Sequence, residues 1–369
     1  MTQPPHRAPG DLSFCLLGGD AGVFGRGVRA RYGCVGGAVD ALTGRRAEMV
    51  TGALGFDTSG TAALIVPHRI ERSAGARPST APNRTAASLT PAPAAEHRRR
   101  VTAALTAIAA GEVEKVVLAR GLTARFAESL SPEELIGDFT ATATAGATVF
   151  AAPLDERGHD GRWLIGASPE LLLRKRGAVV TCEPYAGSAA RRADPAADAE
   201  AAAGLAASEK DRREHAYVVD DLRRRLAPLC RELEAPDAPL LRHTPQLWHL
   251  ATPIRGVLAD PSVTALELAA QLSPTPAVCG TPTAAAAAVI DRIEGAREFY
   301  AGTVGWCDAA GDGDWLVSIR CLELSADRHT VRSWAGGGIV AGSDPDAEVA
   351  ETEVKFGTVL SALGLPPLR

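Results

Sequence analysis

Near the C-terminus three strand-like runs follow one another at hairpin spacing: TVGWC from Thr303, DWLVSIRCLEL from Asp314 and TVRSWAGGG from Thr330. The spacers AAGDG and SADRH supply the Gly, Asp and Ser that tight turns require. Runs joined so closely can pair only antiparallel, because parallel neighbours need a crossover of a dozen or more residues. The pattern therefore predicts an antiparallel meander and argues against a chain built from alternating βαβ units. LSFCLL and AALIVP within 12–70 also read as strands, as do KVVLAR, WLIGAS and AVVTCEP. Helices are predicted over 95–110 and about 207–229. The fold class is α+β with substantial antiparallel sheet.

Residues 1–94 form a strand-rich part that ends in SAGARPSTAPNRTAASLTPAPAA, a Pro/Ala-rich surface linker over 73–95. Residues 95–369 follow with mixed helices and strands, and the chain is long enough for one large domain or two ordinary ones. The alanine-rich stretch 189–204 reads as a mobile loop or a poorly packed helix. The net charge of −5 is mild, and the arginine clusters at 98–100 and 223–225 are short, so a nucleic-acid surface is not indicated. No apolar run has membrane-spanning length, and MTQPPHRAPGD lacks the apolar stretch of a signal peptide. The seven cysteines are scattered with no C-x-x-C, which suggests free thiols in a reducing cytoplasm.

Polar residues that interrupt apolar patterns mark candidate chemistry. In ASEKDRREHAYVVDDLRRRL, the stripe Ala207, Val218, Leu222 and Leu229 also contains Asp211 and Glu214. A buried carboxylate needs a partner, which could be a lysine, an arginine or a metal ion. Arg320 sits in the meander between Ile319 and Cys321, where it could pair with a buried acid or offer its planar fork to a substrate carboxylate. Gly336, Gly337 and Gly338 suggest close backbone approach and N–H groups available to an anion. A dinucleotide fingerprint is rejected, since too little chain remains for a βαβ unit. Lys115 opens KVVLAR as either a desolvated base or an exposed strand-end residue. Glu170 follows Pro169 after a strand, and His249 in LWHLATP is either a core residue or a ligand.

Ser343-Asp344-Pro345-Asp346 has the features of a helix start. On the helix it opens, Glu348, Glu351 and Lys355 lie at i, i+3 and i+7, flanking the stripe Val349, Phe356, Val359, Leu360 and Leu363. A solvated edge with a Glu351–Lys355 pair is one reading of this face, and a charged site is the other.

Taken together, EKVVLAR, IGASPELLLRKRG, PYAGSAARR, ASEKDRREH, QLWHLATP, LSPTPAVCG, REFYAGTVGWCD, WLVSIRC, AGGGIV and EVAETEVK occur in family order over about 95–369. The chain resembles the chorismate-utilising enzymes, and within them the isochorismate synthases of siderophore and menaquinone pathways. The resemblance implies the anthranilate synthase component I-like fold: two packed antiparallel β-sheets surrounded by helices in a single large domain, with a deep pocket. It implies Lys115 as the base that activates water and Glu170 as the acid that protonates the departing hydroxyl. Glu214, Glu348 and Glu351 match the acids that bind Mg2+ directly or through water. Gly187, Ser188, His249, Tyr300, Arg320, Gly336, Gly338 and Lys355 match substrate-binding positions. The implied reaction is Mg2+-dependent, reversible conversion of chorismate to isochorismate, feeding siderophore, salicylate or menaquinone synthesis. It implies a cytoplasmic monomer with no glutaminase subunit, no nucleic acid and no membrane partner. Salicylate synthases are the nearest rival, followed by anthranilate and aminodeoxychorismate synthases, and a silent chorismate-binding protein is the non-enzyme alternative. One departure is Ser273, where many relatives carry histidine.

Overall fold

The computed structural model describes residues 11–18, 21–57, 60–73, 82, 84–144, 146–154, 161–243 and 247–368. Seventeen of its strands join edge to edge in one hydrogen-bonded ribbon, and the pairings are antiparallel throughout. From one end the ribbon runs Cys230–Glu234, Ile254–Leu258, Val179–Cys182, Leu171–Arg176, Gly313–Val317, Thr303–Asp308, Met49–Leu54 and Ala62–Ser73. It continues through Ala21–Tyr32, Leu12–Gly18, Thr148–Pro153, Trp163–Ser168, Cys321–Leu324 and Thr330–Val340 to Lys115–Arg125. Ser88–Pro91 and Gly280–Thr281 both pair with that last strand, at its two ends. The two expected sheets are the two halves of this ribbon. Met49–Leu54 packs against Thr148–Pro153 without hydrogen bonding to it, so the halves meet face to face there. A separate small sheet joins Tyr185–Ala190, Leu247–Ala251 and Leu240–His243.

The main core fills the ribbon around Phe14, Leu54, Phe150, Phe299 and Trp315. A second cluster, with Phe139, Ile165, Leu322 and Leu363, lies beneath the helix Pro132–Thr142. The helix Pro345–Ala362 seats Phe356 and Leu360 on Leu122 and Ala335 of the central strands. Asp344 caps its start by accepting from the Asp346 and Ala347 amides at 2.9 and 2.8 Å, as the sequence predicts. Glu209–Leu226 forms the long helix, and Ala94–Ala109 the one expected over 95–110.

Three local expectations need correction. DWLVSIRCLEL is not one strand: it breaks at Ser318–Arg320, and its parts, Gly313–Val317 and Cys321–Leu324, belong to different halves of the ribbon. The break turns on Arg320, whose φ of 52° lies in the left-handed region that non-glycine residues rarely adopt. Residues 35–43 form a helix that the strand reading of 12–70 missed; Gly36 and Gly37 obscure it, but Ala38, Ala41 and Leu42 bury one face. Within 73–95, residues 74–81 and 83 lie outside the described residues, while 88–91 is a strand rather than linker. In the alanine-rich stretch the helix alternative is the one observed, over Pro195–Ala207, capped by Asp194. Asp198 anchors it to Arg191 and to the Trp248 indole.

Candidate active site

Lys115 begins the strand Lys115–Arg125 and is only 3% exposed, so it is not a strand-end surface residue. Its Nζ lies 3.8 Å from Glu214 Oε2, the partner that the stripe position of Glu214 demanded. Burial lowers the Lys115 pKa; the Glu214 charge opposes that shift, and the Lys355 charge adds to it. Glu170, also buried, sits between Trp163–Ser168 and Leu171–Arg176. Its backbone is fixed at both ends: its amide donates to Ser168 Oγ at 3.2 Å and its carbonyl accepts from the Val317 amide at 3.0 Å. Burial raises its carboxyl pKa to about 7, with the Lys115 charge pulling the other way.

The glycine run in Thr330–Val340 brings backbone close to side chains from three directions. A methyl group at Gly338 would stand 2.9 Å from Lys115 Cε and 3.5 Å from Glu214 Oε2. One at Gly336 would stand 3.1 Å from the Tyr300 hydroxyl, and one at Gly337 2.6 Å from Glu348 Oε2. Tyr300 is buried and stacks on Trp334 with centroids 5.6 Å apart; burial pushes its pKa up. Lys355 donates to the Gly336 carbonyl at 2.7 Å and to Glu351 Oε1.

Arg320 is half-buried, and among the described residues its guanidinium touches Thr358 Oγ1 at 3.5 Å and pairs with no acid. Burial lowers its pKa while Tyr300 and Glu351 oppose the shift. His249 lies opposite Ser188 in the small sheet and meets Tyr185 edge-on at 5.6 Å. Burial, with the Arg320 charge adding to it, lowers His249 to about 4 and keeps its ring neutral. Gly187, at φ 80°, sits at the bulge before Ser188, where a methyl group would stand 3.0 Å from Asp211 Cβ.

Of the catalytic, substrate-binding and metal positions that the resemblance implies, all except Glu348 line a single cavity of about 430 Å³, whereas Gly337 and Ser273 do not line it. Glu348 lies behind Gly337 at 4% exposure, so the solvated-edge alternative fails for it. Tyr185, Lys210, Arg242, Ile319 and Trp334 also line the cavity and were not singled out. Arg242 gave no signal, since it lies in a short exposed strand; Tyr185 and Lys210 lay inside quoted segments without breaking any pattern.

A family model described as chorismate binding enzyme matches residues 62–364. The chain belongs to the chorismate-binding enzymes. A Mycobacterium tuberculosis protein provisionally named isochorismate synthase MenF is 46% identical over 363 residues, which cover 95% of this chain and 96% of that one. Isochorismate synthase DhbC of Bacillus subtilis is 44% identical over 331 residues, covering 88% and 82%. Among solved structures, menaquinone-specific isochorismate synthase MenF from Escherichia coli superposes with a TM-score of 0.85 at 25% identity, covering 95% of this chain and 88% of that one.

Among the described residues of this chorismate-binding enzyme, no three His, Cys, Asp or Glu side chains converge as a ready-made metal cage. The acids nevertheless fit a cation that keeps much of its water. Glu348 Oε2 is buried without a hydrogen-bond partner among the described residues. The Glu348 pKa is raised to about 7, by burial first and then by Glu351. Glu351 and Glu348 flank Gly337, and Glu214 borders Gly338, so three acids gather along one run of backbone. Hard oxygen donors with room for water suit Mg2+.

Proposed function

We propose that this chain is an isochorismate synthase, converting chorismate to isochorismate reversibly with Mg2+. One observation carries the reading: Lys115 and Glu170 are both buried on one cavity and their pKa values are displaced in opposite directions. A neutral amine can take the proton of water attacking C2, while a protonated carboxyl can give one to the hydroxyl leaving C4. Arg320, with no acid partner among the described residues, holds a substrate carboxylate through its planar fork. Lys355, anchored on the Gly336 carbonyl, adds a second positive charge, and the protonated Tyr300 hydroxyl donates beside it. Neutral His249, Gly187 and Ser188 form the wall facing the ring. Glu214, Glu348 and Glu351 would hold Mg2+, which when bound supplies positive charge that draws electron density toward the ring carboxylate. In the reverse direction Glu170 is the base and the Lys115 ammonium the acid.

In this reading the enzyme acts as a single chain, uses water rather than ammonia, and works in the cytoplasm, consistent with its seven unpaired cysteines. Among the described residues no helix is long and apolar enough to cross a membrane. The test is incubation with chorismate and Mg2+, without ammonia, followed by chromatography. A product of unchanged mass with a new retention time is expected. Salicylate with pyruvate, or no conversion, would overturn the assignment.

A further inference from the structure

The strand that carries Lys115 is paired along its whole length on one edge, from Lys115 opposite Val340 to Arg125 opposite Thr330. Its other edge is discontinuous. Gly280–Thr281 covers Lys115 and Val116, and Ser88–Pro91 covers Leu122 to Arg125. Between them no strand lies alongside. Backbone outside the strands meets two groups there: the Val117 amide donates to the Cys279 carbonyl and the Gly121 carbonyl accepts from the Ala92 amide, at 2.8 Å each. The Val117 carbonyl and the Ala119 amide are left to other partners. A bare edge next to a cavity would admit water and let the strand shift register.

Two side chains fill that gap. Arg297 Nη2 donates to the Val117 carbonyl at 2.7 Å, and the Ala119 amide donates to Glu294 Oε1. The same guanidinium donates through Nη1 to the Val278 carbonyl at 2.8 Å. The two side chains hold each other, with Nε 3.0 Å from Glu294 Oε2 and Nη2 2.9 Å from Oε1. Both are buried, at 3% and 7% side-chain exposure. The guanidinium also lies over the Phe56 ring at 4.8 Å and near the Tyr300 ring at 5.9 Å. Val117, Val278 and Tyr300 all line the cavity. Gly295, at φ 85°, ends the helix Thr283–Glu294, so the chain turns and presents both side chains to the strand.

We infer that the Glu294–Arg297 pair is a surrogate strand segment that positions Lys115 and Tyr300 for the reaction. It touches no reacting atom. Its planar fork and carboxylate present donors and an acceptor at backbone spacing, which a lysine or an alanine cannot reproduce. The inference rests on the proposed reaction for its kinetic arm and on geometry alone for its exchange arm.

The experiment compares wild type with Arg297→Lys and Glu294→Gln in the full chain. Backbone hydrogen exchange is read at Ala119, and initial rates are read with chorismate and Mg2+. Arg297→Lys should accelerate Ala119 exchange about tenfold or more. It should also lower kcat by on the order of 10²-fold while leaving KM within about threefold, because misplacement of about 1 Å costs rate more than affinity. Glu294→Gln keeps an oxygen for Ala119, so its exchange should change less and its kcat loss should be smaller. If Arg297→Lys does not fold, Glu294→Gln carries the test alone: intermediate exchange with reduced kcat and unchanged KM supports the pair. Wild-type exchange and wild-type kcat in either folded variant would overturn it. A wild-type enzyme that does not convert chorismate would sink the proposed function instead, and Ala119 exchange would still decide whether the pair replaces a strand.

Discussion

Lys115 and Glu170 are displaced from their ordinary pKa values by the same cause, removal from water, and it acts on them in opposite senses because one is a cation acid and the other a neutral acid. Lys115→Ala should therefore retain chorismate binding, since Arg320 and Lys355 remain, and lose turnover by about 10²–10⁴-fold. Calorimetric binding beside initial rates checks this; near wild-type turnover would return Lys115 to a structural role. The forward reaction needs Glu170 protonated. Its folded pKa is about 7, so the rate from chorismate should fall as pH rises through about 7. Glu170→Gln should lower that rate throughout and remove this limb of the profile, as rate-against-pH curves of the two proteins will show. These roles were only partly legible in the sequence. Lys115 at the start of KVVLAR is compatible with either solvent or interior, and what decides between them is the long-range arrival of Thr330–Val340 and Glu209–Leu226. Arg297 carries no mark in the sequence because, besides Glu294, its partners are backbone carbonyls, which every residue possesses and no motif singles out.

At the scale of elements, the contact between Thr330–Val340 and Pro345–Ala362 is set by an absent side chain. Gly337→Ala would put a methyl group 2.6 Å from Glu348 Oε2, so the buried carboxylate would have to shift from the place it holds beside Gly337. Overpacking of this kind costs about 1–3 kcal/mol. The larger expected effect is on metal affinity, with the Mg2+ concentration for half-maximal rate rising about ten- to a hundredfold. A Mg2+ titration of activity measures it, and an unchanged midpoint would separate Glu348 from the metal. The glycine run was legible as a place of close approach, but what approaches it was not, because the visitors come from elements far away in sequence. The run DWLVSIRCLEL shows the opposite failure. Its alternation and β-branched residues are those of a strand, and local propensity carries no mark of the break at Arg320, where the chain passes from one half of the ribbon to the other. The helix 35–43 was hidden in the same way, by glycines whose low propensity is outweighed by burial of Ala38, Ala41 and Leu42.

For the whole molecule, clustered acids make stability depend on pH and on metal together. The Glu348 pKa rises on folding from the ordinary 4.5 to about 7, so the folded state keeps a proton that the unfolded state releases over that interval. Stability from this group is therefore lost as pH rises from about 4.5 through about 7. Glutamine does not titrate, so in Mg2+-free buffer the melting temperature of Glu348→Gln minus that of wild type should grow between pH 5 and pH 8. Added Mg2+ should raise wild type more than the variant at pH 8 and shrink the difference. Calorimetric scans at the two pH values test both statements, and parallel curves would remove Glu348 from the acid cluster. The ribbon itself also has a consequence for how the protein comes into being. Met49–Leu54 finds its neighbour only when Thr303–Asp308 has left the ribosome, roughly 250 residues later, or on the order of tens of seconds at ordinary elongation rates. Until then one side of that strand stays unclosed, so chaperones that shelter nascent chains have a long interval in which to act, and refolding from denaturant should be slow for the same topological reason.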